Sequence, residues 1–256
     1  MTLPQKKIIS INVSTGSFAD FVATIISQAT MRISSYVCVA NVHMLAEAYS
    51  SHHFRNVVNK AFLVTPDGMP LAKAFQVLYN QHQERVDGMS LLPSLLLESQ
   101  KKGLAVYFYG GTPTMIEKTN AYISKEYKEL KVAGYYSPPF RPMTDGEMDD
   151  IAININNSGA HLVFVVLGCP KQEIWMYNMK GKVNATMIGI GGALPVLIGI
   201  QKRAPKWMQQ SSLEWLYRLN QEPRRLFKRY LTTNSKFLFL LAKENFKVRR
   251  KSCKRF

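Results

Sequence analysis

The sequence predicts an α/β fold, a mainly parallel sheet covered by helices on both faces. Two observations carry that expectation. Over residues 1–190, short apolar runs alternate with longer amphipathic ones, the pattern of strands joined by crossover helices. Turn-forming residues stand directly behind most of the apolar runs. A third observation sets the remainder apart. The chain has a net charge of +16, and residues 200–256 hold sixteen Lys or Arg against three acids, Glu214, Glu222 and Glu244. Residues 1–199 hold seventeen against fourteen.

In chain order, the predicted strands are 8–13, 36–40, 61–64, 105–109, 131–133, 162–167 and 186–190. The predicted helices are 18–29, 43–50, 69–79, 90–102, 113–130, 145–156 and 170–180. The helix bounds rest on local chemistry. Pro113 and Pro170 suit a first helical position, where no N–H is needed. Thr144 with Glu147 three residues on is a capping box. Gly103 and Gly159 suit the stop after a helix.

A chain of 256 residues, 46% hydrophobic and 20% charged, can bury a core as one large domain or one domain with an appendage. We expect a core at 1–199 and an appendage at 200–256. The three cysteines, Cys38, Cys169 and Cys253, are too scattered for a disulfide framework or metal spacing, which suits a reducing compartment. No signal peptide is visible in Met1 to Lys7. The apolar stretch 186–200 is too short for a span and contains Gly189, Gly191, Gly192, Pro195 and Gly199. The expectation is a cytoplasmic protein whose membrane contact is peripheral.

The basic block is also aromatic. Trp207, Trp215, Tyr217, Phe227, Tyr230, Phe237 and Phe239 are threaded among Arg218, Arg224, Arg225, Lys228, Arg229 and Lys236. Cations draw a segment to an anionic bilayer, at about 1 kcal/mol for each Lys or Arg near the surface. Aromatic side chains then insert at headgroup depth. A solvated basic tail is the competing account, and it suits 247–256. A nucleic-acid-binding module is the rival from another class. Against it, the cations sit in one appendage on a nearly neutral core, and no nucleic-acid-binding motif is readable.

Polar residues cluster just past the strands. They are Asn41, then Thr65-Pro66-Asp67-Gly68, Gly110-Gly111, Gly168 ahead of Pro170-Lys171-Gln172-Glu173, and Gly191-Gly192. Open parallel sheets bind ligands at the carboxyl ends of their strands. Glycines there admit a phosphate or sugar, and helix N-termini favour anions. Neither a G-x-G-x-x-G nor a P-loop is present.

Asp67 leads the candidates for chemistry, because a carboxylate on a tight turn at a strand end is well placed as a general base. A turn Asp bonding its own backbone is the alternative. Arg85 can hold a diphosphate through its guanidinium, or else forms a surface pair with Glu84 or Asp87. Lys171, Gln172 and Glu173 suggest an anion site, although Glu173 also suits the helix dipole. No metal is expected. There is no D-x-D, the acids Asp145, Glu147, Asp149 and Asp150 sit in first helical turns, and the five histidines show no ligand spacing.

Seven segments occur here in an order that resembles the WecG/TagA/CpsF family of bacterial glycosyltransferases. They are Ala40-Asn41, Thr65-Pro66-Asp67-Gly68, Glu84-Arg85-Val86, Leu167-Gly168-Cys169-Pro170-Lys171-Gln172-Glu173, Gly191-Gly192, Lys202-Arg203-Ala204-Pro205 and Glu214-Trp215-Leu216-Tyr217-Arg218. The resemblance runs from about Ile8 to Tyr230. It implies a Rossmann-like, doubly wound core (the GT-E fold) with a basic, helical C-terminal appendage. It further implies inverting, metal-independent transfer from a UDP-sugar donor to a polyprenyl-diphosphate-linked acceptor at the inner membrane face, with no cofactor and no nucleic acid partner. The donor it suggests is an N-acetylmannosamine-type sugar, with UDP-glucose or UDP-glucuronic acid as alternatives. A homo-oligomer stays open.

Residue by residue, the resemblance makes Asp67 the base for the acceptor hydroxyl, and Asn41 a group positioning the sugar. Arg85 becomes a contact to the diphosphate or the acceptor. Gln172 and its neighbours fall in the donor site; Gly110, Gly111, Gly168, Gly191 and Gly192 are expected as substrate-binding backbone from their place just past the strands. Arg218, Arg225 and Lys228 become cations reaching the site from the appendage. The sequence departs from the family at Val39, where a Thr is common, and this leaves the donor's identity open.

Overall fold

The computed structural model describes residues 2–210 and 213–253. The chain opens with strand β1 (Gln5–Ile8) and strand β2 (Ile11–Ser14), paired antiparallel. Residues 8–13 are therefore not one strand. Ile9 turns the chain with φ +59°, a conformation that a β-branched residue seldom adopts, so no Gly or Asn marks the turn. Helix α1 (Phe18–Thr30) follows, capped reciprocally by Ser17 and Asp20. Strand β3 (Ser35–Ala40) leads into helix α2 (Val42–Ser50), and helix α3 (His52–Asn59) restarts at once on Ser51. His52 and His53 thus open a helix of their own and are exposed.

Strand β4 (Leu63–Pro66), helix α4 (Met69–Tyr79), helix α5 (Gly88–Lys101) and strand β5 (Ala105–Gly110) come next. Helix α6 (Pro113–Glu126), strand β6 (Lys131–Tyr136), helix α7 (Asp145–Asn157) and strand β7 (Leu162–Val166) continue the alternation. The capping box at Thr144 and Glu147 is formed. Helix α8 (Lys171–Met179) has Pro170 as its cap and not its first residue. Strand β8 (Thr186–Gly189) and the short helix α9 (Ala193–Leu197) close this part.

Strands β3 to β8 form a six-stranded sheet in the order β4-β3-β8-β7-β5-β6, parallel throughout. The architecture is α/β and Rossmann-like. Side chains alternate between its faces, as a two-residue period requires. On β3, Tyr36, Cys38 and Ala40 enter one core, with α2, α3, α4 and α8. Val37 and Val39 enter the other, with α1 and α5.

The rest is helical: α10 (Lys206–Gln210), α11 (Glu214–Gln221) and the long α12 (Pro223–Cys253). Helix α12 shows two stripes. Leu226, Thr233, Phe237 and Leu240 are buried, and Phe237 joins the core beneath α2 and α4. Phe227, Leu231, Leu238 and Phe246 fall at i, i+4, i+11 and i+19 and are each more than 60% exposed. No helix among the described residues is long and apolar enough to cross a membrane.

Candidate active site

Asp67 stands on the two-residue link between β4 and α4. Its N–H donates to the carbonyl of Ala40 on neighbouring β3 at 2.9 Å, and Asn41 follows directly. A Cβ on Gly68 would lie 3.8 Å from Asn41 Cα and Cβ, so Asp67 and Asn41 occupy adjacent strand ends. Asn41 caps α2, its Oδ1 accepting from the N–H groups of His43 and Met44 at 3.1 and 3.2 Å. Its amide nitrogen has no hydrogen-bond partner among the described residues and is left to donate elsewhere.

The Asp67 carboxylate does not bond its own turn. Oδ1 accepts from the Gly88 N–H at 3.1 Å, twenty-one residues away. Burial pushes the carboxyl up from the ordinary 3.8 to about 6; Arg85 and Arg218 pull it down, while Asp87 and Glu214 push it up. A carboxylate held near 6 is ionised at neutral pH and still basic enough to accept a proton.

Around Asp67 lies an ion cluster that crosses from the sheet to helix α11. Arg85 donates through Nε to the Asp67 carbonyl at 2.6 Å and through Nη2 to Glu214 Oε2 at 2.7 Å. Asp87 is 4.0 Å from Arg85, and Glu84 instead accepts from the Phe18 N–H. Of the two partners offered as the alternative for Arg85, Asp87 stays at ion-pair distance but is buried, and Glu84 is not a partner among the described residues. The shorter pair is a partly buried one with Glu214 of α11. Asp87, itself buried, caps α5 and also pairs with Arg203 Nη2 at 3.1 Å. Arg218 lies with Nε 3.6 Å from Glu214 Oε1 and Nη2 3.7 Å from Met89 Sδ. Three guanidiniums therefore face three carboxylates: Arg85, Arg203 and Arg218 against Asp67, Asp87 and Glu214.

Arg203 and Glu214 have no assigned role from sequence, and Asp87 only that of an alternative surface partner for Arg85. Arg203 and Glu214 sit inside the K-R-A-P and E-W-x-Y-R segments, so the motifs mark them without saying what they touch.

The glycines divide by cause. Gly110 has φ +111°, and a Cβ would meet Val166 O at 2.5 Å; a Cβ on Gly111 would meet Met115 Sδ at 2.8 Å. Backbone packing accounts for Gly110, and a φ of +81° with the Met115 side chain against it for Gly111. They also lie four strand steps from Asp67, roughly 19 Å at about 4.8 Å per step. Gly192 is different. Its φ is ordinary, and a Cβ would touch nothing within 4 Å. It borders the same small cleft as Arg203, Glu214 and Arg218. Gly168 donates to Gln172 Oε1 at 3.2 Å, and Gln172 lies close under Gly191. Gln172 is buried and donates to Glu173 Oε1 at 2.7 Å. Glu173 is wholly buried, and burial pushes its carboxyl up to about 7. Lys171 is exposed.

Lys228 is exposed on α12 and pairs with none of these groups among the described residues. Arg225 lies on α12, and its side chain is outside the described residues. Helix α11 turns Glu214, Arg218 and Gln221 toward the polar cleft. Leu216, Tyr217 and Leu219 border an open, mostly apolar groove of about 510 Å³ shared with Met208, Pro223 and Phe227. Among the described residues, no group of three or more His, Cys, Asp or Glu side chains is placed to hold a metal ion.

Residues 6–251 match the Glycosyl transferase WecG/TagA/CpsF family. The chain is 30% identical over 238 residues to the N-acetylglucosaminyldiphosphoundecaprenol N-acetyl-beta-D-mannosaminyltransferase of Bacillus subtilis strain 168, covering 91% of this chain and 89% of that one. The protein of the same name in Bacillus spizizenii is 30% identical over 195 residues, 75% of this chain and 73% of its own.

Proposed function

The chain belongs to the WecG/TagA/CpsF family of glycosyltransferases, and we propose that it moves an N-acetylmannosamine-type sugar from a UDP-sugar to a polyprenyl-diphosphate-linked N-acetylglucosamine. The observation that carries this reading is the Asp67 carboxylate, held near 6 beside Asn41 and ringed by guanidiniums. The names of the two Bacillus relatives supply the sugar and the acceptor.

In this reading the acceptor hydroxyl attacks the anomeric carbon from the side opposite UDP. Its proton passes to Asp67. The bond to the β-phosphate oxygen breaks, the electron pair leaves with UDP, and the configuration inverts. Charge grows on the leaving diphosphate, and fixed cations aimed there are worth most in a water-poor site. Arg85 and Arg218 are the cations we assign to it. Asn41 has an amide nitrogen to offer the sugar. The reaction is read as metal-independent, because in this reading guanidiniums meet the leaving group.

We read residues 200–256 as an appendage that also holds the protein on an anionic membrane from the cytoplasmic side. The exposed stripe Phe227, Leu231, Leu238 and Phe246 runs beside exposed Arg224, Lys228, Lys243, Lys247 and Arg250. An apolar stripe flanked by cations is what an interfacial helix needs.

The test is UDP release from a panel of UDP-sugars with a short-chain polyprenyl-diphosphate-GlcNAc acceptor. Turnover is expected with the N-acetylmannosamine donor. Turnover with UDP-glucose or UDP-glucuronic acid instead would reassign the donor, and turnover with none would remove the reading.

A further inference from the structure

We propose that Glu214 is a placeholder for substrate phosphate: its carboxylate occupies Arg85 and Arg218 in the free enzyme and is displaced when a diphosphate binds. The proposal rests on the functional reading above, in which those two arginines receive a diphosphate.

The geometry carries it in four steps. First, the two Glu214 oxygens are divided between two guanidiniums, Oε2 at 2.7 Å from Arg85 and Oε1 at 3.6 Å from Arg218. A phosphate oxyanion pair would be bound in the same way. Second, the Nε–Nη2 edge of Arg85 is already occupied. Its Nε is committed to the Asp67 carbonyl and its Nη2 to Glu214. A bidentate phosphate contact on that edge requires one partner to leave, and the Asp67 carbonyl belongs to the backbone.

Third, the cluster is neutral as it stands, with Arg85, Arg203 and Arg218 against Asp67, Asp87 and Glu214. An added diphosphate would face no net positive charge unless one acid withdrew. Asp67 is tied to Gly88, and Asp87 to the start of α5. Glu214 alone of the three is carried by the appendage, in the first turn of α11. Fourth, the cleft beside it is small. About 50 Å³ lies between Met89, Gly192, Arg203, Glu214 and Arg218, room for a water or two. Moving the Glu214 side chain is what opens that space. The displaced carboxylate would not be stranded, because an acid in a first helical turn is favoured by the helix dipole.

A residue that only anchors the appendage makes the opposite prediction. Removing an anchor loosens the site and weakens ligand binding, whereas removing a competitor strengthens it. Titration calorimetry on the full-length protein distinguishes the two. The probes are UDP, for the donor's diphosphate, and farnesyl diphosphate, for the acceptor's. Glu214→Gln should bind at least one of them about fivefold to tenfold more tightly than wild type, the scale of one net hydrogen bond freed for the ligand. Glu222→Gln controls for the general effect of one fewer acid, since Glu222 borders the same cleft but bonds Gln201. It should tighten binding much less.

Tightening with UDP alone assigns the placeholder to the donor, and with farnesyl diphosphate alone to the acceptor; either supports the proposal. Unchanged or weaker binding of both by Glu214→Gln would overturn it, as would equal tightening by Glu222→Gln. Should Glu214→Gln fail to fold, Glu214→Asp reads the same competition, because the shortened carboxylate recedes from Arg85. Its binding should tighten by a smaller factor, and no tightening would overturn the proposal. If wild type bound UDP but Glu214→Gln did not improve on it, the placeholder alone would fall. If wild type bound neither probe, the functional reading would fall first and take the placeholder with it.

Discussion

Arg85 is bonded to the backbone of Asp67 and not to its carboxylate. The guanidinium Nε donates to the Asp67 carbonyl at 2.6 Å, while the Asp67 side chain takes the Gly88 N–H on Oδ1. The distinction matters for chemistry. A carboxylate locked in a bidentate pair with arginine is a poor base, because the pair lowers its pKa. Here the cation is held next to the carboxylate without consuming it. Oδ2 has no hydrogen-bond partner among the described residues, and the carboxyl stays near 6.

Asp67→Asn should lower kcat by 10²–10⁴-fold, the usual range for losing a general base, with UDP affinity changed little. Asn keeps the shape and can still accept from Gly88. Steady-state kinetics beside UDP titration checks this, and near-normal turnover would remove Asp67 from the base role.

The raised pKa also fixes two pH dependences. The base works ionised, so kcat/KM should fall as pH drops through about 6, and Asp67→Asn should lack that limb. For stability the sign is reversed. The folded pKa lies above the unfolded one, so the native state binds the proton more tightly, and stability is lost as pH rises from about 4 to about 6. Replacing Asp67 by Asn removes that loss. The variant should melt higher than wild type above pH 7, by an amount of order 2–3 kcal/mol at most, and the gap should close toward pH 4. A melting series across pH measures it. A variant that melts lower at pH 8 would contradict the environment assigned to Asp67.

The place of Asp67 at a strand end was legible from sequence because its signal is local: Pro-Asp-Gly directly behind an apolar run. The parallel sheet was legible for the same reason, since its six strands each declare themselves within a dozen residues. Ion pairing is not local. Arg85 and Glu214 are 129 residues apart, and each has nearer opposite charges in sequence, so Arg85 reads as a partner for Glu84 or Asp87. Helix α3 was missed because His52 and His53 follow α2 with a single capping residue, Ser51, between them. The turn at Ile9 was missed because its residue type argues against the conformation it adopts. The buried stripe of α12 was hidden among cations. Phe237 looked like one aromatic of an exposed block, and it is 3% exposed.

Activity should survive EDTA unchanged. The expectation rests on Arg85 and Arg218 as the charge that meets the leaving diphosphate, and on the lack of a converging ligand cluster among the described residues. Loss of turnover on chelation, restored by Mg²⁺ or Mn²⁺, would mean that the guanidiniums do not suffice.

The exposed stripe of α12 should govern membrane binding. Leu231→Ser, Leu238→Ser and Phe246→Ser together remove three apolar side chains, each above 60% exposed. Because they pack against little, the melting temperature should hold. Sedimentation with anionic liposomes should fall by tenfold or more, since each buried large side chain is worth about 1.5–3 kcal/mol at full transfer. Undiminished sedimentation would leave the cations as the whole attraction.

Deleting residues after Gly199 should separate what the appendage does for the site from what it does for the fold. All six strands of the sheet remain, so the sheet should form. It will not be a clean truncation, however. Helix α12 buries Phe237 and Leu240 against the core under α2 and α4, and the cut uncovers those faces, so the shortened chain should melt lower and aggregate at modest concentration. It should lose liposome binding, because both the exposed stripe and the cations are gone. It should also lose most activity on a soluble acceptor, because Arg218 and Arg203 no longer meet Asp87 and Met89 beside the base. Arg218→Ala isolates the second loss. One of sixteen cations is a small share of the charge on residues 200–256, so liposome binding should persist, while turnover falls about 10²-fold or more, the scale of one fixed charge in a transition-state site. Turnover of a soluble acceptor by the truncated chain at the full-length rate would make residues 200–256 an anchor alone, and Arg218 would then have no part in the chemistry.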